Sequence, residues 1–355
     1  MQEIVERSAG HMLAPNLMAT LGAVADHYAS ENVFADFMAR KAKNTLAAHK
    51  FDLAVFAEYL DAAAGVVSTL PAAQQRAVWL TEGKRYQTTP SAWQGMTWGI
   101  VQGFLQWQLS QGAAIGSINR RLATVKVYAK LATKAGAIDP QAHALIRLVV
   151  GFAGKESKHV DEKRAVKRVG NKKAECTVIS DAQAAALKSQ PDTPQGRRDA
   201  VIMTMLLDLG LRVGELAALQ VSDINLKAGK LRFYRPKVGI EQTHKLSADC
   251  LVALRNWFDS GDCAPFGPLL RGSRKGGHLT AAGMSETSIS ERVRALGAEL
   301  EIDCLSAHDC RHYWATKWAA SGIDVFRLQE AGGWASLEMP RRYVKRSEIA
   351  NKGMA

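Results

Sequence analysis

The sequence predicts a mainly α-helical chain in two domains, the first helical and the second mixed α+β with a small antiparallel sheet. Three observations carry this expectation. Apolar residues recur at helical spacing up to about residue 150, a burst of charge runs from Lys155 to Lys173, and the period shortens to that of strands near residue 231. A chain of 355 residues is long enough for two cores.

In order along the chain, residues 1–27 carry no clear signal. Between Lys41 and Leu60, Leu46, Leu53, Phe56 and Leu60 build one apolar helical face. Ile118, Leu122, Val125 and Ala129 repeat the pattern between Ser117 and Ala132, and Lys126, Lys130 and Lys134 form a basic row on another side. Asp139-Pro140 breaks this pattern. The segment 155–173 holds eight basic and three acidic residues with no apolar stripe, and reads as a charged tether. Ser180 or Asp181 caps the next helix, and an apolar helix from Arg198 to Leu207 closes at Gly210. A short helix follows from about Val213 to Leu219. Leu231–Arg235 and Gln242–Leu246 alternate as strands, with turns at Ala228-Gly229 and Gly239. From Leu251 onward the pattern is helical again. The expected boundaries are an extension (1–27), a helical domain (28–150), a basic linker (151–173) and a mixed domain (174–355).

Composition narrows the function classes. The 46 Lys and Arg exceed the 34 Asp and Glu, for a formal charge of +12, which suits a polyanionic partner. No apolar run has the length of a membrane span. Glu3 and Glu6 stand where a secretion signal needs basic residues, so the chain start reads as that of an intracellular, cytoplasmic protein. The five cysteines include no Cys-x-x-Cys pair, which points to reduced thiols. Cys304, His308, Cys310 and His312 are close in sequence, but their spacing fits no common zinc site, so no metal is expected.

Four segments carry chemistry. Arg212 follows the Gly210 turn and opens a helix, where free backbone N–H groups and a guanidinium favour an anion; pairing with Glu215 is the plainer explanation. His308 and Arg311, three apart, share one helical face, so one can move a proton while the other holds a phosphate oxygen. Gly332-Gly333-Trp334 forms the third segment. In the fourth, Pro340 suits a first helical turn that carries Tyr343 among Arg341, Arg342, Lys345 and Arg346. A phenol with a pKa near ~10 needs such cationic or basic help to act as a nucleophile. Each segment alone has an ordinary structural explanation.

Together, the order Arg, Lys, His-x-x-Arg, Trp, Tyr, with nine residues from Trp334 to Tyr343, resembles the catalytic domain of the tyrosine recombinase (phage integrase) family from about Cys176 onward. Thr45–Leu60 and Ile115–Leu122 look like its helical core-binding domain. The resemblance implies that Tyr343 attacks a DNA phosphate and leaves a 3′-phosphotyrosyl link and a free 5′ hydroxyl. Arg212 and Arg311 would clamp the phosphate, and His308 would assist proton transfer. Trp334 would donate a hydrogen bond from a position the family fills with His or Trp, and Glu215 would support the site. Lys237, leading into the hairpin turn, is the expected general acid; Lys245 and Lys230 are less well placed. The ester conserves bond energy, so no cofactor is implied.

The implied partners are double-stranded DNA and further copies of the chain, four on DNA in synapsis, with room for accessory DNA-bending or directionality proteins and no membrane. Residues 28–150 and 174–355 would grip opposite faces of the duplex. Arg120, Arg121, Lys126 and Lys130 in the helical domain, and Lys163, Arg164, Lys167 and Arg168 in the linker, are the expected phosphate contacts. A type IB topoisomerase would use nearly the same residues, and a regulator with a recombinase-like fold would bind DNA without cutting it. The Trp and the two-domain layout favour recombination over relaxation. The full residue set favours catalysis over binding alone.

Overall fold

Helices follow the apolar spacing through the first half of the chain. The computed structural model describes residues 15–166, 176–274 and 277–347. Its contacts divide the chain into two units, Met1–Lys172 and Lys173–Ala355.

The first unit holds α1 (Pro15–Ala39), α2 (Lys43–Ala63), α3 (Ala72–Thr88), α4 (Trp98–Ser110), α5 (Ile115–Lys134), α6 (Pro140–Leu148) and α7 (Gly154–Lys163). The apolar faces of α2 and α5 meet in a core rich in rings. Trp93 stacks on Phe56 at 6.0 Å and on Tyr128 at 6.2 Å between centroids. Each such ring removed from water contributes roughly 1.5–3 kcal/mol, and the Trp93 indole N–H is satisfied by the Tyr86 carbonyl at 2.9 Å. Asp139 caps α6 through the N–H groups of Gln141 and Ala142, with Pro140 in the first turn. Two expectations change here. From Pro15 onward the supposed extension is helix α1, which runs past residue 28. The charged tether opens as helix α7, whose end is held where Arg164 donates to the Ala113 carbonyl and pairs with Asp161.

The second unit holds α8 (Asp181–Lys188), α9 (Pro194–Asp208), α10 (Val213–Ala218), β1 (Ile224–Asn225), β2 (Lys230–Arg235), β3 (Ile240–Lys245), α11 (Ala248–Asp259), β4 (Arg271–Ser273), β5 (Leu279–Gly283), α12 (Glu286–Glu299), α13 (Ala307–Ala320), α14 (Val325–Gly332) and α15 (Glu338–Ser347). Val201 to Leu207 is buried without a break, so α9 is the central helix, packed by α8, α11 and α13. Ser180 caps α8 in a reciprocal capping box with Gln183. The sheet is antiparallel in the order β1-β2-β3, and Arg235 pairs with Ile240, which leaves residues 236–239 as the hairpin turn. A second hairpin, β4-β5, interrupts the helical stretch expected after Leu251. Its segment is short and broken by Pro265, Pro268, Gly267 and Gly272, which disfavour helix. Among the described residues no helix is long and apolar enough to cross a membrane.

Candidate active site

Local sequence explains how each element presents its residue. At Gly210 the chain turns with φ +62°, and an added Cβ would fall into the Trp314 indole, so the bend that delivers Arg212 needs glycine. Arg212 is the N-cap residue of α10, and Glu215 accepts both its backbone N–H (2.9 Å) and its guanidinium (2.6 Å). Ser306 and Asp309 cap α13 reciprocally, which fixes the start of the helix that carries His308, Arg311 and His312. Gly333 ends α14 in the left-handed conformation and turns the chain into Trp334. The helix bearing Tyr343 starts at Glu338 and has Pro340 in its first turn.

Three arginines converge on the carbonyls that end α14. Arg212 donates to Gly333 (2.8 Å), Arg311 to Gly332, and Arg235 to both Ala331 (2.8 Å) and Gly332 (3.2 Å). Helix C-termini carry partial negative charge and lone carbonyls, so cations are stabilised there. Arg311 also donates to the Gly210 carbonyl and lies 4.6 Å from the Trp334 ring centroid. Burial, then the neighbouring Arg212 and Arg235, push its pKa down to about 9. It stays a cation at neutral pH.

Tyr343 is buried, with its phenol 5.8 Å from Trp334 and its hydroxyl 2.9 Å from His312 Nδ1. His308 meets His312 edge to face at 4.5 Å. Partial desolvation, then Arg311, Arg212 and Lys237, hold the His308 pKa below its ordinary value, so this ring is neutral near pH 7. Lys237 stands exposed in the hairpin turn and shares a cleft of about 520 Å³ with Gly333 and Trp334. The structure therefore gathers Arg212, Glu215, Lys237, His308, Arg311, Trp334 and Tyr343 in one region of the second unit.

Two members of this region were given no role in it from the sequence, where His312 was weighed only as a metal ligand. Arg235 is completely buried, binds both Glu215 oxygens at 3.1 and 3.0 Å, and donates to Gln242 at 2.5 Å. His312 is the partner of the tyrosine hydroxyl, and its position four residues after His308, on the same helical face, was the available signal.

His244 lies behind Arg235, whose guanidinium approaches its Nε2 at 3.4 Å. Burial, then the Arg235 charge, lowers its pKa from 6.5 to about 4. The unfolded chain therefore binds this proton first, and stability falls as pH drops below 6.5 towards 4. Between pH 7 and pH 5 this one group is expected to remove about 2 kcal/mol. Urea unfolding of wild type and His244→Gln at both pH values checks this: the wild type should lose more stability by that margin, and equal losses would refute it.

The expected DNA-contact residues separate by geometry. Arg120 remains half exposed while pairing with buried Asp52 at 2.8 Å, and Lys130 and Lys163 are exposed. Arg121 is mostly covered and donates to Gln108. Lys126 caps the carbonyls of Arg147 and Val149 at 2.9 and 2.7 Å, and the Arg164 side chain is buried against Ala113 and Asp161. These last two cations hold the end of α6 and α7 in place, so the structure does not present them to a phosphate. Lys167 and Arg168 lie outside the described residues.

Residues 177–348 match the family model described as the phage integrase family. This region, most of the second unit, belongs to the tyrosine recombinase (phage integrase) family. Among curated relatives, tyrosine recombinase XerC of Pelobacter propionicus is 34% identical over 164 residues, which cover 45% of this chain and 52% of that protein. The chain thus spans about half the length of that relative. XerC of Mycobacterium sp. (strain KMS) is 27% identical over 264 residues, covering 72% of this chain and 81% of that one. A lambda integrase dimer bound to a core site shares the fold with a TM-score of 0.52 and 17% identity, over 95% of this chain and 82% of that one.

Proposed function

We propose that this chain is a site-specific DNA recombinase that breaks and rejoins strands through a covalent bond to Tyr343. The carrying observation is the convergence of the Arg212 and Arg311 guanidiniums, the imidazoles of His308 and His312, and the Tyr343 hydroxyl in one region. The carbonyl bonds fix both guanidiniums in place and leave further N–H donors on each for the non-bridging oxygens of a phosphate. Preset cations of this kind stabilise the charge of a pentacoordinate phosphorus without reorganising. The Trp334 indole can donate one hydrogen bond but cannot carry a proton away.

In this reading Tyr343 attacks a backbone phosphate, a 3′-phosphotyrosyl bond forms, and the 5′ oxygen leaves with a proton from Lys237. The 5′ hydroxyl of the same or a partner strand reverses the step. The neutral His308 stands ready to exchange a proton with the phosphate. Arg120, Lys130 and Lys163 contribute phosphate contacts, in keeping with the basic balance of the chain. The expected assembly is four protomers on two duplexes. The recombinase relatives and the fold shared with a DNA-bound lambda integrase support the reading as a DNA recombinase.

The test uses a nicked duplex carrying the sequence that this protein enriches from a randomised pool. Wild type is expected to yield a covalent species that survives denaturation, with the nucleotide mapped to Tyr343 by peptide mass. No adduct, or an adduct on another residue, would overturn the proposal.

A further inference from the structure

The hydroxyl of Tyr343 lies 2.9 Å from Nδ1 of His312, in a bond that joins α15 to α13. The two rings are 5.3 Å apart and tilted by 58°, and His308 closes on His312 from its own helix. A phenol attacking phosphorus must give up its proton, and near neutral pH a free phenol keeps it. Imidazole is the side chain suited to take it there.

We infer that His312 is the general base of strand cleavage, accepting the Tyr343 proton and returning it on rejoining. This rests on the reading of Tyr343 as nucleophile. With the ring proton on Nε2, the Nδ1 lone pair faces the hydroxyl. As Oη bonds to phosphorus, its proton passes to Nδ1 and the bond from phosphorus to the 5′ oxygen breaks. That oxygen takes a different proton, from Lys237. On rejoining, the phosphorus–Oη bond breaks and the imidazolium returns its proton to the departing phenolate.

A hydrogen bond that merely held the phenol in place would look the same, and His312→Asn separates the two roles. Asparagine can accept that bond but cannot take up a proton. The full-length chain is assayed on two nicked duplexes, one with the natural phosphate and one with a 5′-bridging phosphorothiolate, whose sulfur leaves without needing a proton. His312→Asn is expected to slow cleavage by about 10²–10³-fold on both duplexes. Lys237→Ala should be slow on oxygen and restored on sulfur. Added imidazole should recover part of the rate of His312→Ala in proportion to its concentration.

Thermal melting and duplex binding establish that the variants are folded, and His312→Gln replaces any that is not. Cleavage by His312→Asn at the wild-type rate, or its rescue by sulfur, would overturn the inference while leaving Tyr343 as nucleophile. Failure of wild type to form any adduct would overturn both.

Discussion

Tyr343→Phe is expected to abolish the covalent species, lowering its rate of formation by at least about 10⁴-fold, while the variant still binds the same duplex. The change removes one oxygen and leaves the ring. Packing against Trp334 is kept, because the ring that makes the contact is retained. The hydroxyl's bond to His312 is lost, which costs about 0.5–1.5 kcal/mol of stability. A loss of activity far exceeding the loss of stability therefore isolates the chemistry. The measurement pairs the denaturing gel with a melting curve and a binding titration. A covalent species that survives the substitution would show that another side chain attacks.

Glu215→Ala should give the largest stability loss, about 3–5 kcal/mol in the C-terminal unit, measured by denaturant unfolding. Glu215 is buried and is the carboxylate between two guanidiniums, Arg212 at 2.6 Å and Arg235 at 3.0 Å. Removing it leaves the Arg235 cation enclosed without a counter-charge. The double variant Glu215→Ala/Arg235→Met should recover much of the loss, since an apolar replacement of both partners avoids the stranded charge. Recovery of stability is not expected to bring back activity, because Arg212 would have lost the group that orients it. A single-variant loss under about 1 kcal/mol would refute the account.

Much of this region was legible in the sequence because its signals are local. The Gly210 turn, the helical face shared by His308 and Arg311, and Pro340 ahead of Tyr343 depend on residues within a few positions of one another. Arg235 was not legible for the opposite reason. In sequence it is a charged residue ending a strand beside a proline, and its burial is created by carbonyls of residues 331 and 332. Lys126, in the basic row, and Arg164, in the charged linker, were read as phosphate contacts because a cation looks the same in sequence whether it faces solvent or binds a neighbouring carbonyl. The β4-β5 hairpin is too short for alternation to register against the helices on either side.

The arginines that end α14 grip main-chain carbonyls and no side chain of residues 331–333. The grip is therefore indifferent to side-chain identity at Ala331, where the bond is made by the main chain, but not to spacing. One residue inserted or deleted between Ala331 and Trp334 would shift three carbonyls off three guanidiniums at once and rotate the indole away from Arg311. Substitution at Ala331 can pass unnoticed, whereas Gly332 and Gly333 leave no room for a Cβ beside Trp334 and Arg235, and a change of length there would dismantle the centre.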